Sequence, residues 1–140
     1  MNGRLMTNKN TGKPSQVLFE ALFLPYGKRA FLHRITDSAE VRGMNGAGFT
    51  KKQPADYIVT FDGDTHFAEV KSTVGARFKR SQIESGQEAA AKQQIAAGGH
   101  YFFYVHAKAI GQWFRVPGDF VLNSAKASWS WLDLKGFRFQ

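Results

Sequence analysis

The sequence predicts an α/β fold in which helices flank a mixed central β-sheet. Two segments rich in β-branched and aromatic residues, 57–61 and 65–70, surround a short turn and predict a β-hairpin. An alanine-rich segment that ends at Gly98 and Gly99 predicts a helix with a glycine C-cap. The aromatic run at residues 101–105 is typical of a strand covered on both faces, and the helix before it allows parallel pairing with the hairpin.

The elements before the hairpin follow from local signals. Residues 15–24 predict a helix with Ser15 as its N-cap, and the turn at residues 25–27 leads into a strand over residues 30–36. Residues 37–53 are rich in glycine and have no hydrophobic period, so they are predicted to form a mobile loop.

The segment between the hairpin and the alanine-rich helix is less sharply bounded. Residues 72–80 are predicted to form a basic connector. Two capping-box patterns follow, and they leave the start of the helix open between Ser81 and Ser85.

The C-terminal part of the chain predicts shorter elements. Residues 112–116 predict an edge strand, which Pro117 stops before a short helical stretch. Beyond Ser128, Trp129 and Trp131 alternate with polar residues, so a strand and a loop are both possible there.

The hairpin brings three charged side chains together. A turn centred on Asp62 and Gly63 places Asp56 opposite Glu69 on the neighbouring strand. Because side chains alternate along a strand, Glu69 and Lys71 point to the same face. The two carboxylates and the ammonium group are therefore expected to lie close to one another.

This set of side chains suits a metal-dependent hydrolytic site. Mg²⁺ prefers oxygen ligands and usually retains several waters, so Asp56 and Glu69 could hold one ion together with a substrate phosphate. Lys71 could orient the attacking water or stabilise charge in the transition state. The alternative is a solvated strand face with a Glu–Lys pair, which stabilises a sheet by only about 0.2–1 kcal/mol.

The composition is that of one compact domain. The chain has 140 residues, 43% of them hydrophobic, and can bury a core without disulfides or metals. It contains no cysteine, which excludes a disulfide framework and a cysteine-based zinc site. We expect residues 15–140 to form a single domain after a flexible basic arm, residues 1–14. The sequence lacks a secretory signal, so a cytoplasmic protein of a bacterial cell or virus-infected host is expected.

The spacing Pro54-x-Asp56 followed by Glu69-x-Lys71 resembles the core motif of the PD-(D/E)xK nuclease superfamily, whose fold is restriction-endonuclease-like. The Pro–Asp spacing is longer than the family pattern by one residue, Ala55.

Two further residues fit the order of that superfamily. Glu20 lies in the first predicted helix, where such nucleases often place an additional acidic residue, and Gln87 opens the alanine-rich helix, where the resolvase branch often carries a glutamine. Taken alone, Glu20 could be a surface glutamate and Gln87 a first-turn helix residue.

Within the superfamily the chain is most similar to small Holliday-junction resolvases. The resemblance implies a homodimeric, Mg²⁺-dependent endodeoxyribonuclease of DNA recombination and repair, with Mn²⁺ as a substitute, that cuts four-way junctions. It implies metal binding by Asp56, Glu69 and Glu20, activation or orientation of the nucleophile by Lys71, and a catalytic-site role for Gln87. Two alternatives remain: a restriction- or repair-type nuclease that acts on other DNA, and a non-catalytic, basic nucleic-acid-binding protein.

The net charge of +8 agrees with a polyanionic partner. Basic residues lie in the N-terminal arm and on both sides of the motif, a distribution that suits contacts to DNA phosphates, and the predicted loop at residues 37–53 could close over DNA. A basic surface that serves only solubility is the alternative. The candidate DNA-binding residues are Arg4, Lys9, Lys13, Arg34, Lys51, Lys52, Arg77, Lys79 and Arg80.

Overall fold

A computed structural model of the protein describes residues 14–35 and 53–139. Nearly all of the predicted N-terminal arm and of the predicted loop at residues 37–53 lies outside the described residues. The same holds for five of the candidate DNA-binding residues, namely Arg4, Lys9, Lys13, Lys51 and Lys52.

The described chain contains both helices and strands. In chain order the elements are α1 (Pro14–Leu22), β1 (Ala30–Arg34), β2 (Tyr57–Phe61), β3 (Asp64–Thr73), β4 (Arg77–Lys79), α2 (Ser85–Ala96), β5 (Tyr101–Ala107), β6 (Gln112–Pro117), α3 (Gly118–Leu122) and β7 (Ser128–Ser130). Short 3₁₀ helices cover Leu24–Arg29, Arg80–Gln82, Lys108–Ile110 and Lys135–Phe137. None of the helices in residues 14–35 and 53–139 combines the length and the apolar character needed to cross a membrane.

A five-stranded mixed sheet forms the centre of the fold. Its strand order is β1-β2-β3-β5-β6, and β4 pairs with β7 in a separate two-stranded sheet. The β3 and β5 strands are parallel and α2 connects them, whereas the other pairs in the large sheet are antiparallel. The predicted fold class, the parallel crossover and the edge position of β6 are therefore confirmed.

The hairpin has the register expected from its turn. Phe61 pairs with Asp64 and Tyr57 pairs with Ala68, so the next position along the ladder brings Asp56 opposite Glu69. The turn residues after Phe61 both have positive φ, 51° at position 62 and 85° at position 63, which is characteristic of a type I′ hairpin turn. This turn matches the twist of the two strands and sets their register.

The two faces of the sheet are covered by different helices. One face packs against α1 and the residue after it: Phe19 contacts the rings of Tyr57 and Tyr104, and Phe23 contacts the ring of Tyr104. The opposite face carries the larger core, which includes Phe103 and the residues contributed by α2 and α3. Because side chains alternate along β3, the residues next to Ala68 in sequence point to this second face.

The first helix differs from its prediction at both ends. Pro14 is already helical, so Ser15 lies inside the helix and does not cap it. It ends at Leu22, two residues before the predicted end. A 3₁₀ helix follows in place of a simple turn, and Gly27 within it has a φ of 55°, a value that glycine adopts without strain.

The predicted connector at residues 72–80 contains more regular structure than expected. The β3 strand continues to Thr73, and Arg77–Lys79 forms β4, which pairs with β7. The central pair of that ladder joins Phe78 to Trp129, and both side chains are buried. This long-range pairing makes a strand of residues 128–130, where the sequence allowed both a strand and a loop.

The alanine-rich helix begins at Ser85, the later of the two predicted positions. It ends as predicted, at a glycine cap. Gly98 has a φ of 93°, its N–H donates to Ile95 O at 2.9 Å, and the Gly99 N–H donates to Gln94 O at 2.9 Å. These two bonds satisfy carbonyls that would otherwise lack partners at the end of the helix.

We predict that Gly118→Ala destabilises the fold. A Cβ at position 118 would lie 2.9 Å from Tyr101 O and 3.1 Å from Ile95 Cδ1, so α3 would have to move away from β5. The free energy of unfolding in urea should fall by about 1–3 kcal/mol. Gly136→Ala is the matched control, because a Cβ there meets no atom within 4 Å. Equal stability of the two variants would contradict the prediction.

Candidate active site

A cleft of about 320 Å³ lies where α1 begins, beside β3 and the start of α2. It is lined chiefly by charged and polar groups, which distinguishes it from the apolar core. Its lining includes residues 14–16 together with Asp56, Glu69, Lys71, Ser72, Glu84, Gln87 and Lys108. Four predicted site residues, two carboxylates, one lysine and one glutamine, are therefore brought together.

Backbone hydrogen bonds hold Asp56 at the entrance to β2. Its N–H donates to Ala68 O at 3.2 Å, and its carbonyl accepts the Ile35 N–H at 2.9 Å. Its carboxylate accepts the Val70 N–H at 2.9 Å. The peptide and the side chain of Asp56 are thus both attached to the sheet, and the carboxylate lies along β3.

Glu69 is 4% exposed, although it carries an ionisable group. Its Oε2 accepts a hydrogen bond from Gln87 Nε2 at 2.6 Å and lies 3.5 Å from Lys71 Nζ. The Lys71 side chain is itself only 13% exposed. A buried carboxylate is thus held from one side by its own strand and from the other by α2.

Gln87 has two functions in this arrangement. Its Oε1 accepts the Glu84 N–H at 3.0 Å and so caps the first turn of α2. Because the carbonyl end of the amide is used by the cap, the NH₂ group is turned toward Glu69. The geometry of the helix start therefore determines which end of the amide faces the site.

The electrostatics of the cleft favour a cation. Burial and the nearby Asp56 carboxylate raise the pKa of Glu69 to about 8, and this effect exceeds the opposite influence of Lys71. The charge of Glu84 acts in the same direction as that of Asp56. A divalent ion placed between the carboxylates would relieve this repulsion, and carboxylate oxygens are its preferred ligands.

The donor set of the cleft fits an ion that keeps part of its water shell. No group of three or more His, Cys, Asp or Glu side chains within residues 14–35 and 53–139 is arranged to hold a metal. Two carboxylates are nevertheless sufficient for Mg²⁺, which usually retains several waters and takes further ligands from a substrate phosphate.

Glu20 lies elsewhere. Its carboxylate accepts a hydrogen bond from the Tyr57 hydroxyl, and it lines a second cleft of about 390 Å³ together with Arg34. Tyr57 pairs with Ala68 and shares its face of the sheet, whereas Glu69 points to the opposite face. This placement gives no support to the prediction that Glu20 is a metal ligand.

The predicted DNA-binding residues after the hairpin fall into two groups. Arg80 donates to Val121 O at 2.7 Å and to Ser124 O at 2.6 Å, so it connects segments of the fold and gives no support to the predicted DNA contact. Arg77 bonds Ser128 Oγ at 2.8 Å but remains 45% exposed. Lys79 is exposed on β4.

No protein-family model matches the sequence, and no curated protein matches it either. Among solved structures the chain is similar to Hjc, a Holliday junction resolvase from the archaeal hyperthermophile Archaeoglobus fulgidus. The fold of this chain is restriction-endonuclease-like. The similarity to Hjc has a TM-score of 0.56 with 11% sequence identity, and it covers 86% of this chain and 90% of that chain. At this identity the likeness concerns the fold alone.

The cleft lining includes residues that did not emerge from the sequence as site candidates, among them Gln16, Glu84 and Lys108. Lys108 directly follows the end of β5, and the carboxyl ends of parallel strands commonly carry functional groups, which is a signal that could have found it. Gln16 lies one helical turn before Glu20, on the part of α1 that reaches the cleft. Glu84 directly precedes α2, and its position in the capping pattern gave no indication of this location.

We predict that the metal-free protein loses stability as pH rises from about 4.5 to about 8. In this range folded Glu69 keeps a proton that the unfolded chain releases, so the folded state binds more protons and its stability falls with pH. Glu69→Gln should remove this part of the dependence, because glutamine does not titrate. Urea unfolding at several pH values in the presence of a chelator measures it. An unchanged pH profile in the variant would contradict the prediction.

Proposed function

We propose that the protein is a metal-dependent DNA endonuclease that uses Mg²⁺, with Mn²⁺ as a substitute. The observation that carries the proposal is the buried Glu69 carboxylate beside Asp56, with Lys71 Nζ at 3.5 Å and the Gln87 amide at 2.6 Å. Burying a carboxylate next to another one costs stability, so a functional reason for the arrangement is expected.

Asp56 and Glu69 would hold the ion. When bound, it would supply Lewis acidity and neutralise negative charge on the phosphate. Gln87 would keep the Glu69 carboxylate oriented, because its own amide is fixed by the helix cap. Lys71 would hold the attacking water near the phosphorus and stabilise the charge that develops as the phosphorus–oxygen bond breaks.

Lys108 would bind a phosphate of the substrate. It is exposed on the cleft, and the ion pairs formed within the described part of the chain do not include it. Lys71, in contrast, is already within ion-pair distance of Glu69. The cleft therefore offers one ammonium group for the reaction centre and another for the DNA backbone.

For the substrate, we propose a four-way DNA junction cut by a homodimer. The fold similarity to Hjc, which is a Holliday junction resolvase, and the net charge of +8 support this choice. Two symmetric cuts require two sites, which a homodimer provides.

Cleavage of junction, duplex and single-stranded DNA in the presence of Mg²⁺ tests the proposal. Asp56→Asn keeps an oxygen for the Val70 N–H, and Glu69→Gln is nearly isosteric, so both variants should fold. We expect each to lower the cleavage rate by at least about 100-fold, because each removes charge from the reaction centre. Glu20→Gln is the control and should retain most of the activity, since Glu20 lies in the second cleft.

The outcomes separate the alternatives. Absence of cleavage on every substrate, or full activity of Asp56→Asn, would overturn the nuclease proposal; DNA binding without cleavage would then indicate a non-catalytic binding protein. Sequence-dependent cutting of plain duplex would indicate a restriction- or repair-type nuclease. Paired symmetric nicks near the crossover of a synthetic junction are the result expected of a resolvase.

The proposed phosphate contact of Lys108 has its own test. Lys108→Ala should weaken DNA binding and reduce the slope of log affinity against log salt by about one, because one phosphate contact is lost. Lys135→Ala serves as the control, since Lys135 is exposed and does not line the cleft. Equal salt slopes for the two variants, measured in a metal-free buffer, would contradict this role.

A further inference from the structure

Tyr101 is buried next to the cleft and contacts the segment that leads to Asp56. It is the first residue of β5, is 2% exposed, and pairs with Phe67 on β3. Because paired residues share a face, the Tyr101 side chain lies on the same face as Glu69, two positions along β3. Its hydroxyl donates a hydrogen bond to Pro54 O at 2.6 Å.

Pro54 precedes Asp56 by two residues. Proline has no N–H, so its carbonyl is the backbone group through which it can be held. Ala55 between the two is buried in the same core cluster as Tyr101. Two sheet hydrogen bonds fix Asp56 itself: its N–H donates to Ala68 O, and its carbonyl accepts the Ile35 N–H. The segment from Pro54 to Asp56 is thus fixed at both ends: the Tyr101 hydroxyl binds it at Pro54, and the sheet binds it at Asp56.

The surroundings of the Tyr101 hydroxyl keep it protonated. Burial raises the pKa of Tyr101, and the charges of Glu69 and Asp56 raise it further. The phenol therefore stays protonated and acts as a donor. Within the described residues its proton is donated to a backbone carbonyl, that of Pro54.

We infer that the Tyr101 hydroxyl is a positioning group for the candidate metal site: by holding Pro54 O, it places the Asp56 carboxylate on the Val70 N–H and beside Glu69. Its effect on metal affinity rests on the proposed function, whereas its effect on the position of Asp56 does not. Tyr101 would not contact the substrate. It would restrict the orientations that Asp56 can adopt before a metal binds.

The test compares Tyr101→Phe with Tyr104→Phe. Tyr104 lies on the same strand, is equally buried, and bonds His66 Nε2 at 2.9 Å on the opposite face of the sheet. Each variant keeps its ring and loses the hydrogen bonding of one buried hydroxyl, so urea unfolding should show losses of stability of the same order. If the two variants have similar free energies of unfolding, a general loss of stability cannot explain any other difference between them.

Two measurements then report on Asp56. Hydrogen exchange of the Val70 amide in the metal-free protein reports on its bond to the Asp56 carboxylate. We expect this amide to exchange faster in Tyr101→Phe, and at the wild-type rate in Tyr104→Phe after correction for global stability. Titration with Mn²⁺ should show binding weakened by about three- to tenfold in Tyr101→Phe alone, as expected for the loss of one hydrogen bond.

Equal behaviour of the two variants in Val70 exchange would overturn the inference. Unchanged Mn²⁺ affinity in Tyr101→Phe, with measurable binding to the wild type, would overturn it as well. If the wild-type protein binds no Mn²⁺, the proposed metal chemistry fails, and Val70 exchange by itself decides whether Tyr101 positions Asp56.

Discussion

Burial of the Glu69 carboxylate is the constraint on which the rest of the candidate site depends. The side chain is 4% exposed, and a carboxylate removed from water must keep its proton or gain partners. β3 supplies Lys71 as one partner and α2 supplies Gln87 as another. The neighbouring Asp56 carboxylate makes the charged form of Glu69 still less favourable. A divalent cation would complete an arrangement whose protein partners are already in place.

The crossover from β3 through α2 to β5 brings those partners to one place. Since β3 and β5 are parallel, their carboxyl ends lie side by side, and the helix between them must start near the end of β3. Gln87 in the first turn of α2 therefore reaches Glu69, and Lys108 follows the end of β5 at the same cleft. Side chains that are far apart in sequence thus meet because a parallel connection requires it.

Packing also decides which charged residues reach the cleft, and not every charged residue that the sequence offered as a candidate does so. Glu20 bonds Tyr57 on the face covered by α1, and Arg80 bonds carbonyls at the end of α3. Both have hydrogen-bond partners within the fold, although Glu20 is exposed and Arg80 is only partly buried. These contacts give no support to the roles predicted for the two residues from the sequence. Lys108, which no sequence motif marked, lines the cleft itself.

The sequence by itself determined the α/β fold class and the residues that meet at the centre of the candidate site, because both depend on local preferences. The turn at Asp62 sets the hairpin register by steric preference, and strand alternation then brings Asp56 and Glu69 together. Only the tertiary structure decided that β4 pairs with β7, that Glu20 bonds Tyr57 and that Arg80 bonds carbonyls near the end of α3. Those outcomes depend on which distant segments pack around a side chain, and local spacing carries no information about such contacts.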